Sequence, residues 1–473
     1  MFNDIFVNED KLKEECGIIG IYDKGNMEIE NLTYYGLIAL QHRGQESAGI
    51  AVNRDGMITC YKEMGLVSEV FDDKILNLLK GDMSIGHVRY STTGESFVTN
   101  AQPLLVKYKN GSIAVAHNGN LVNAASVREQ LEDQGMIFTT TIDSEVIASL
   151  IAKNYKNGIE EAILDTMEVI KGSYALVIMT NDKLIGVRDK HGLRPLVLGK
   201  LGNGYVFASE SCALDTIGAS FIRDVKPGEI VVVDENGIRS LRGRTSEERA
   251  NCIFEYIYFA RPDSIMDGIS VYHAREAAGR VLAKECPANA DVVIGVPDSG
   301  TPAAIGYAQQ SGIPYAVGLI KNRYIGRTFI QPSQVTRELG VKLKLNPLKG
   351  SIEGKRVVMV DDSIVRGTTS KKIVQALRAA GAKEVHVRVS SPVVMHSCYF
   401  GIDTPSRNEL VGASRMLESI REKIGADSLG YLSCEGLLET VGSKGEGFCT
   451  ACFNGKYPME IKDECGKHIF EGK

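Results

Sequence analysis

The sequence predicts an α/β protein of two unlike domains, and three observations predict it. At 473 residues the chain exceeds the size at which one hydrophobic core keeps growing, so two cores are expected. Residues 16 to about 240 read as short apolar runs cut by Gly, Asn and Asp, the texture of a strand-rich mixed α/β domain. Beyond about residue 250, apolar runs alternate with helical patterns, the signature of a mainly parallel sheet with crossover helices.

In chain order, the strands of the first half are GIIGIY (17–22), SAGIAV (47–52), SIAVAHNG (112–119), SYALVIM (173–179), YVFAS (205–209) and EIVVV (229–233). Helices are expected near 32–41, 123–134 and 143–154. The polar, charged stretch NGIRSLRGRTSEERAN (236–251) reads as a linker, which divides the chain into 16–245 and 246–473. In the second half DVVIGVP (291–297) leads into TPAAIGYAQQSG (301–312), RVVMVDD (356–362) leads into TTSKKIVQALRAAG (368–381), and EVHVRVSSP (384–392) adds a further strand. The last stretch of about forty residues, rich in Gly and Cys, reads as loop and short helix.

A formal charge of −5, from 54 basic and 59 acidic residues without like-charge tails, gives no reason to expect bulk electrostatic binding to nucleic acid. Any anionic ligand must be held locally. No stretch approaches the roughly eighteen apolar residues of a membrane span. Residues 1–15 carry five acidic and two basic side chains and no apolar run of an export signal, so a cytoplasmic protein is expected. Ten cysteines are scattered through the chain, which without export argues for catalysis, metal binding or burial and against a disulfide framework.

The most specific stretch is VVMVDDSIVRGTTS (357–370). An apolar strand ends in Asp361 and Asp362, and a loop of Ser363, Arg366, Gly367, Thr368 and Thr369 opens an amphipathic helix. Free backbone N–H groups, the positive end of the helix and hydroxyl donors together suit a phosphate, and the paired carboxylates suit sugar hydroxyls or Mg²⁺. No GK[ST] follows the glycine, so this is not a P-loop. A second strand–turn–helix unit, VVIGVPDSGTPAA (292–304), carries Asp298, Ser299, Gly300 and Thr301 in its turn. A third segment, KNRYIGRTFIQP (321–332), is basic, with Lys321, Arg323 and Arg327.

Together these segments resemble the type I phosphoribosyltransferases. The resemblance implies that Asp361 and Asp362 meet the ribose hydroxyls of phosphoribosyl diphosphate (PRPP) and that the loop behind them holds the 5-phosphate. It implies that residues 298–301 bind pyrophosphate, that the basic segment closes over the ligand, and that Ser299, Asp361 and Asp362 take part in holding Mg²⁺. From its chemistry alone the serine is a weak ligand.

In the first half, Cys16 heads an apolar strand, where a cysteine is ordinarily just buried. Three turn-forming polar clusters, QHRGQESAGI (41–50), GHVRYSTTG (86–94) and HNGNL (117–121), adjoin strands, and TIDSEV (141–146) opens a helix with an acid. With Cys16 they resemble the glutaminase domain of the N-terminal-nucleophile (Ntn) amidotransferases, which implies an αββα fold. Amide hydrolysis through a thioester needs a thiolate, a base, oxyanion donors and charges that hold the α-amino acid end of glutamine. The resemblance makes Cys16 the nucleophile, Asn118 and Gly119 the oxyanion hole, and Arg89 and Asp143 the partners of the glutamine carboxylate and ammonium, with Arg43 and Tyr90 as supports. An α-amino group titrates near neutrality, so the amine of Cys16 can serve as base, provided residues 1–15 are a propeptide that is removed.

The order of the two halves, a glutaminase and then a type I phosphoribosyltransferase domain, resembles the PRPP amidotransferase family. Membership implies ammonia released at Cys16 and passed to C1 of PRPP, giving phosphoribosylamine, glutamate and pyrophosphate in the first committed step of purine synthesis. It also implies a homotetramer under feedback inhibition by purine nucleotides. FCTAC (448–452) places Cys449 and Cys452 at a spacing that suits one metal centre, and on its own the pair reads as a zinc half-site, a redox pair or chance; the resemblance adds Cys252 and Cys398 to make a set of four. Four thiolates suit zinc and iron–sulfur alike; the leader-bearing subgroup of the family implies a 4Fe-4S cluster with a structural role. Two other readings compete. A PRPP-sensing protein without catalysis predicts no pyrophosphate release, and a glucosamine-type synthase predicts a sugar-phosphate isomerase domain in place of residues 357–370.

Overall fold

The computed structural model describes residues 16–25, 28–91, 94–243, 247–322, 345–442, 446–461 and 470. The propeptide expectation for residues 1–15 and the positions Arg323 and Arg327 lie outside the described residues.

Strand β1 (Gly17–Tyr22) is buried at all its residues because it lies inside a seven-stranded sheet whose other face is also covered. It pairs antiparallel with β4 (Met83–Arg89) on one side and β10 (Gly204–Ala208) on the other. Beyond them lie β2 (Ser47–Arg54) and β3 (Met57–Met64) at one edge, and β9 (Val197–Leu201) and β11 (Ser220–Asp224) at the opposite one. The second, six-stranded sheet runs in the order β13 (Gly237–Arg242), β12 (Glu229–Asp234), β8 (Leu184–Arg188), β7 (Gly172–Met179), β6 (Gly111–Leu121) and β5 (Leu104–Tyr108). Ile18, Ile85 and Phe207 of the first sheet form a core with Ala116, Val177 and Val231 of the second, so the sheets face each other. The outer face of the first packs on the helices Ile29–Ala39 and Ser211–Thr216, and that of the second on Asp143–Asn154 and Ile159–Val169. The layers are therefore α, β, β, α.

The expected linker is only partly one. Residues 237–242 form β13, whose polar character arises because it is an edge strand with alternate side chains turned to solvent. The chain then enters β14 (Ala250–Cys252), which pairs in parallel with β23 (Gly447–Cys449), far away in sequence. Between these two, β17 (Val292–Gly295), β20 (Arg356–Asp361), β21 (Glu384–Val389) and β22 (Ser428–Tyr431) form a four-stranded sheet, parallel throughout and in that order. One face packs on the helices Thr368–Ala379 and Leu417–Ile424, the other on Val271–Glu285 and Thr301–Ser311.

Candidate functional site

Cys16 stands at the start of β1, 7 % exposed. Because Gly17 pairs with Val88, the end of the neighbouring β4 brings Arg89 and Tyr90 alongside it, and the Cys16 thiol donates to the Tyr90 carbonyl at 3.4 Å. Burial pushes this thiol up to about 11; the Tyr90 bond and the charge of Arg89 pull it down, and Glu46 and Asp143 add to the rise. The thiol is protonated at neutral pH as it stands and needs a base to become a nucleophile.

The acids and donors expected around it are present. Asp143 opens the helix Asp143–Asn154; its Oδ2 accepts from the Leu121 N–H at 2.9 Å and its Oδ1 lies 3.6 Å from His117 Nδ1. Burial pushes the Asp143 carboxyl up, but His117 and the backbone donors outweigh it and leave the group below its ordinary value. Asn118, 1 % exposed, has an Nδ2 with no hydrogen-bond partner among the described residues. A buried donor left unmade is costly unless something arrives to accept from it. Gly119 follows at φ 148°, and a Cβ there would sit 2.1 Å from the Ser173 carbonyl, so no other residue fits. Arg89 donates to the Gly94 and Glu95 carbonyls at 3.2 and 3.3 Å, which fixes the direction of its guanidinium. Glu46 secures that same loop through Ser91 N–H at 3.0 Å and Ser96 Oγ at 2.8 Å.

Arg43 has a larger part than its expected supporting one. Its Nε donates to the Cys16 carbonyl at 3.2 Å, and its remaining nitrogens reach Glu210 at 2.6 Å and Glu255 at 2.6 and 3.0 Å. Arg194 lies 3.6 Å from the same Glu255. Glu255 belongs to the segment after β14, so a carboxylate of the second half fixes the cation that holds the peptide of Cys16. Sequence reasoning missed Glu210, Glu255 and Arg194; a single acid inside the apolar run CIFEYIYFA was the available signal.

In the second half the two predicted turns lie side by side, because β17 and β20 are adjacent and parallel. The helices that follow them begin after Gly300 and Gly367, and neither has a side-chain cap; in the first of them the Thr301 N–H bonds the Asp298 carbonyl at 3.3 Å and Pro302 carries no N–H. A Cβ on Gly300 would lie 2.6 Å from the Val360 carbonyl, which shows how closely the turns pack. Asp361 and Asp362 are buried; Asp362 accepts from Ser299 Oγ and from Ser363 Oγ at 2.6 Å, and Asp361 from the Asp362 N–H at 3.0 Å. Lys321 pairs with Asp298 at 2.9 Å and Arg366 with Glu409 at 2.8 Å. Thr301 and Thr368 open the two helices, with Thr369 one residue in.

The four cysteines converge. Cys252 and Cys449 are paired across β14 and β23. The Cys452 carbonyl accepts from Met395 and His396, at the start of the segment that carries Cys398. Burial pushes the Cys252 thiol up to about 12 and Cys449 to about 11, and that of Cys452 well above its ordinary value; Cys452 also feels the charge of each of the other three. Among the described residues no group of three or more His, Cys, Asp or Glu stands ready to hold a metal ion, at this place or beside Asp361 and Asp362. Cys60, Cys212, Cys286 and Cys434 are unpaired. No helix among the described residues is long and apolar enough to cross a membrane.

Residues 87–216 match the family model of the glutamine amidotransferase domain, and residues 265–393 that of the phosphoribosyl transferase domain. Over 466 residues the chain is 52 % identical to an amidophosphoribosyltransferase of Bacillus subtilis, covering 97 % of this chain and 98 % of that one. It is 54 % identical to one of Archaeoglobus fulgidus over 453 residues, covering 95 % and 99 %. The solved glutamine PRPP amidotransferase of B. subtilis, complexed with ADP and GMP, superimposes with a TM-score of 0.91 at 51 % identity and covers 96 % of this chain and all of that one. With two domain types in this order and such identity over nearly the whole length, the chain belongs to the amidophosphoribosyltransferase family.

Proposed function

We propose that the chain hydrolyses glutamine at Cys16 and delivers the ammonia to C1 of PRPP, yielding phosphoribosylamine, glutamate and pyrophosphate in the first committed step of purine synthesis. The observation that carries the glutaminase half is the buried Nδ2 of Asn118, without a partner among the described residues, on the strand whose His117 and Leu121 hold Asp143, which itself acts on the Cys16 thiol. Asn118 Nδ2 and the Gly119 N–H would receive the oxyanion that forms when Cys16 sulfur adds to the amide carbon. Arg89 and Asp143 would hold the carboxylate and ammonium of glutamine.

The proton on Cys16 must leave before attack, and the raised thiol makes an internal base necessary. We assign that base to the α-amine of Cys16, freed when residues 1–15 are cleaved as a propeptide. The amine then protonates the leaving ammonia, water hydrolyses the thioester, and glutamate departs. The functional division falls at 16–245 and 246–473.

At the second site the two uncapped helix ends and Asp298, Ser299, Gly300, Thr301, Ser363, Arg366, Gly367, Thr368 and Thr369 would hold the phosphates, and Asp361 and Asp362 the ribose hydroxyls. Ser299, Asp361 and Asp362 also offer oxygen donors to Mg²⁺, which when bound neutralises charge on the pyrophosphate leaving group. Lys321, Arg323 and Arg327 would cover the site and keep water from C1. Cys252, Cys398, Cys449 and Cys452, which the influence of the other three on Cys452 marks as neighbours, would hold a 4Fe-4S cluster as thiolates. The nucleotides in the related B. subtilis structure support feedback by purine nucleotides, and we expect a homotetramer.

The decisive experiment compares glutamine-dependent with ammonia-dependent release of pyrophosphate from PRPP. Asn118→Ala should depress the first about a hundredfold or more in kcat and spare the second; equal loss of both overturns the assignment. N-terminal sequencing and intact mass of the purified protein should show a chain that starts at Cys16 and carries iron and sulfide.

A further inference from the structure

Residues 399–401, directly after Cys398, touch the glutaminase half at four points. The Asn120 amide donates to the Tyr399 carbonyl at 3.0 Å, and Ser173 Oγ donates to the Phe400 carbonyl at 2.8 Å while accepting from the Asn120 N–H at 3.1 Å. Arg194 Nε donates to the same Phe400 carbonyl at 2.9 Å. Gly401, at φ 101°, lies so close that a Cβ on it would be 3.2 Å from the carbonyl carbon of Gly119. Three of these contacts brace the β6 stretch Asn118-Gly119-Asn120 and its neighbour Ser173 on β7. The fourth bears on Arg194, which with Arg43 flanks Glu255 and so reaches the Cys16 carbonyl.

We infer that residues 399–401 form a positioning segment for glutamine hydrolysis, contributed by the transferase half, that sets the oxyanion donors and the nucleophile relative to each other. The inference rests on the oxyanion role given above to Asn118 and Gly119. Asn118, Gly119 and Asn120 are ladder positions of β6 opposite Ala175, Tyr174 and Ser173 of β7, yet Gly119 sits at φ 148° and the Asn118 Nδ2 has no partner among the described residues. The ladder sets the backbone, and Gly401 and the hydroxyl of Ser173 bear on it right beside these donors. Oxyanion donors act on charge that develops only in the transition state, so a misplaced donor lowers kcat while leaving substrate binding intact.

Ser173→Ala removes the bond to Phe400 and to Asn120 with almost no change in volume; Gly401→Ala adds a methyl group against Gly119. Each variant should lose about tenfold to a hundredfold in glutamine-dependent kcat, with the KM for glutamine within about threefold and the rate with ammonium chloride and PRPP unchanged. Should Gly401→Ala fail to fold, Ser173→Ala decides alone. Equal loss of both activities, a loss expressed in KM, or no loss would overturn the inference. A Cys16→Ser protein that still used glutamine would instead break the reading beneath it, and the two failures are thereby told apart.

Discussion

The glutamine site and the PRPP site are built by opposite means. Around Cys16 the functional groups sit on strand interiors and helix starts, are buried, and are tied by charged bonds that cross between the halves of the chain. Around Asp362 they sit on two loops at the ends of parallel strands, with carboxylate oxygens engaged by Ser299 and Ser363 of those same loops. A site of the first kind is assembled before substrate comes. One of the second kind exchanges internal hydroxyls for those of its ligand, and its cost on binding appears in affinity. Substitutions at the two sites should therefore fail differently.

The largest contrast is expected from Cys16→Ser, which should cut glutamine-dependent synthesis about a thousandfold or more and leave the ammonia-dependent reaction intact, as read by pyrophosphate release. Arg43→Met leaves the buried Glu210 and Glu255 without their shared cation and should cost about 3–5 kcal/mol in denaturant unfolding. A loss under about 1 kcal/mol would show that the crossing is not a structural tie.

His87 gives a pH handle on the same region. Burial outweighs its bond to the His117 carbonyl and pushes it down to about 3, and its Nδ1 has no partner among the described residues. The unfolded chain takes up this proton near pH 6.5 and the folded one near 3, so stability is full above 6.5 and falls as pH drops through that window. The slope is at most about 1.4 kcal/mol per pH unit, hence about 2 kcal/mol between pH 6.5 and 5. In His87→Gln this share of the acid loss should vanish from urea titrations at the two pH values. At the PRPP site, Asp362→Asn should raise the KM for PRPP about tenfold and leave that for glutamine unchanged; a shift in both would erase the distinction drawn between the sites.

Much of this was legible in the sequence, for a physical reason. Strand ends that carry chemistry are local: GHVRYSTTG, HNGNL and VVMVDDSIVRGTTS each place a strand, a turn and a polar group within a few residues. The helix expected over 143–154 is Asp143–Asn154, because its start is marked by Asp143 and Glu145 after an extended Ile142. What was not legible joins distant residues. Arg43 meets partners 167 and 212 positions away, and no periodicity announces such a bond. The polar edge strand Gly237–Arg242 reads as linker because a strand with one wet face and a charged loop share a composition. The segment 399–401 carries no motif; its carbonyls act through the backbone, which any sequence supplies.

The pairing of β14 with β23 has a bearing on how the chain is made. Cys252 meets Cys449 across it, so the mount of Glu255 is completed by residues made long after it. Closing so long a loop is a late event, opposed by an entropy that grows as the logarithm of its length. The strand that leads to Glu255, the partner of Arg43, thus gains its neighbour only once residues 447–449 have been made. A chain that stopped short of residue 447 would keep its nucleophile but lack the strand that pairs behind Glu255.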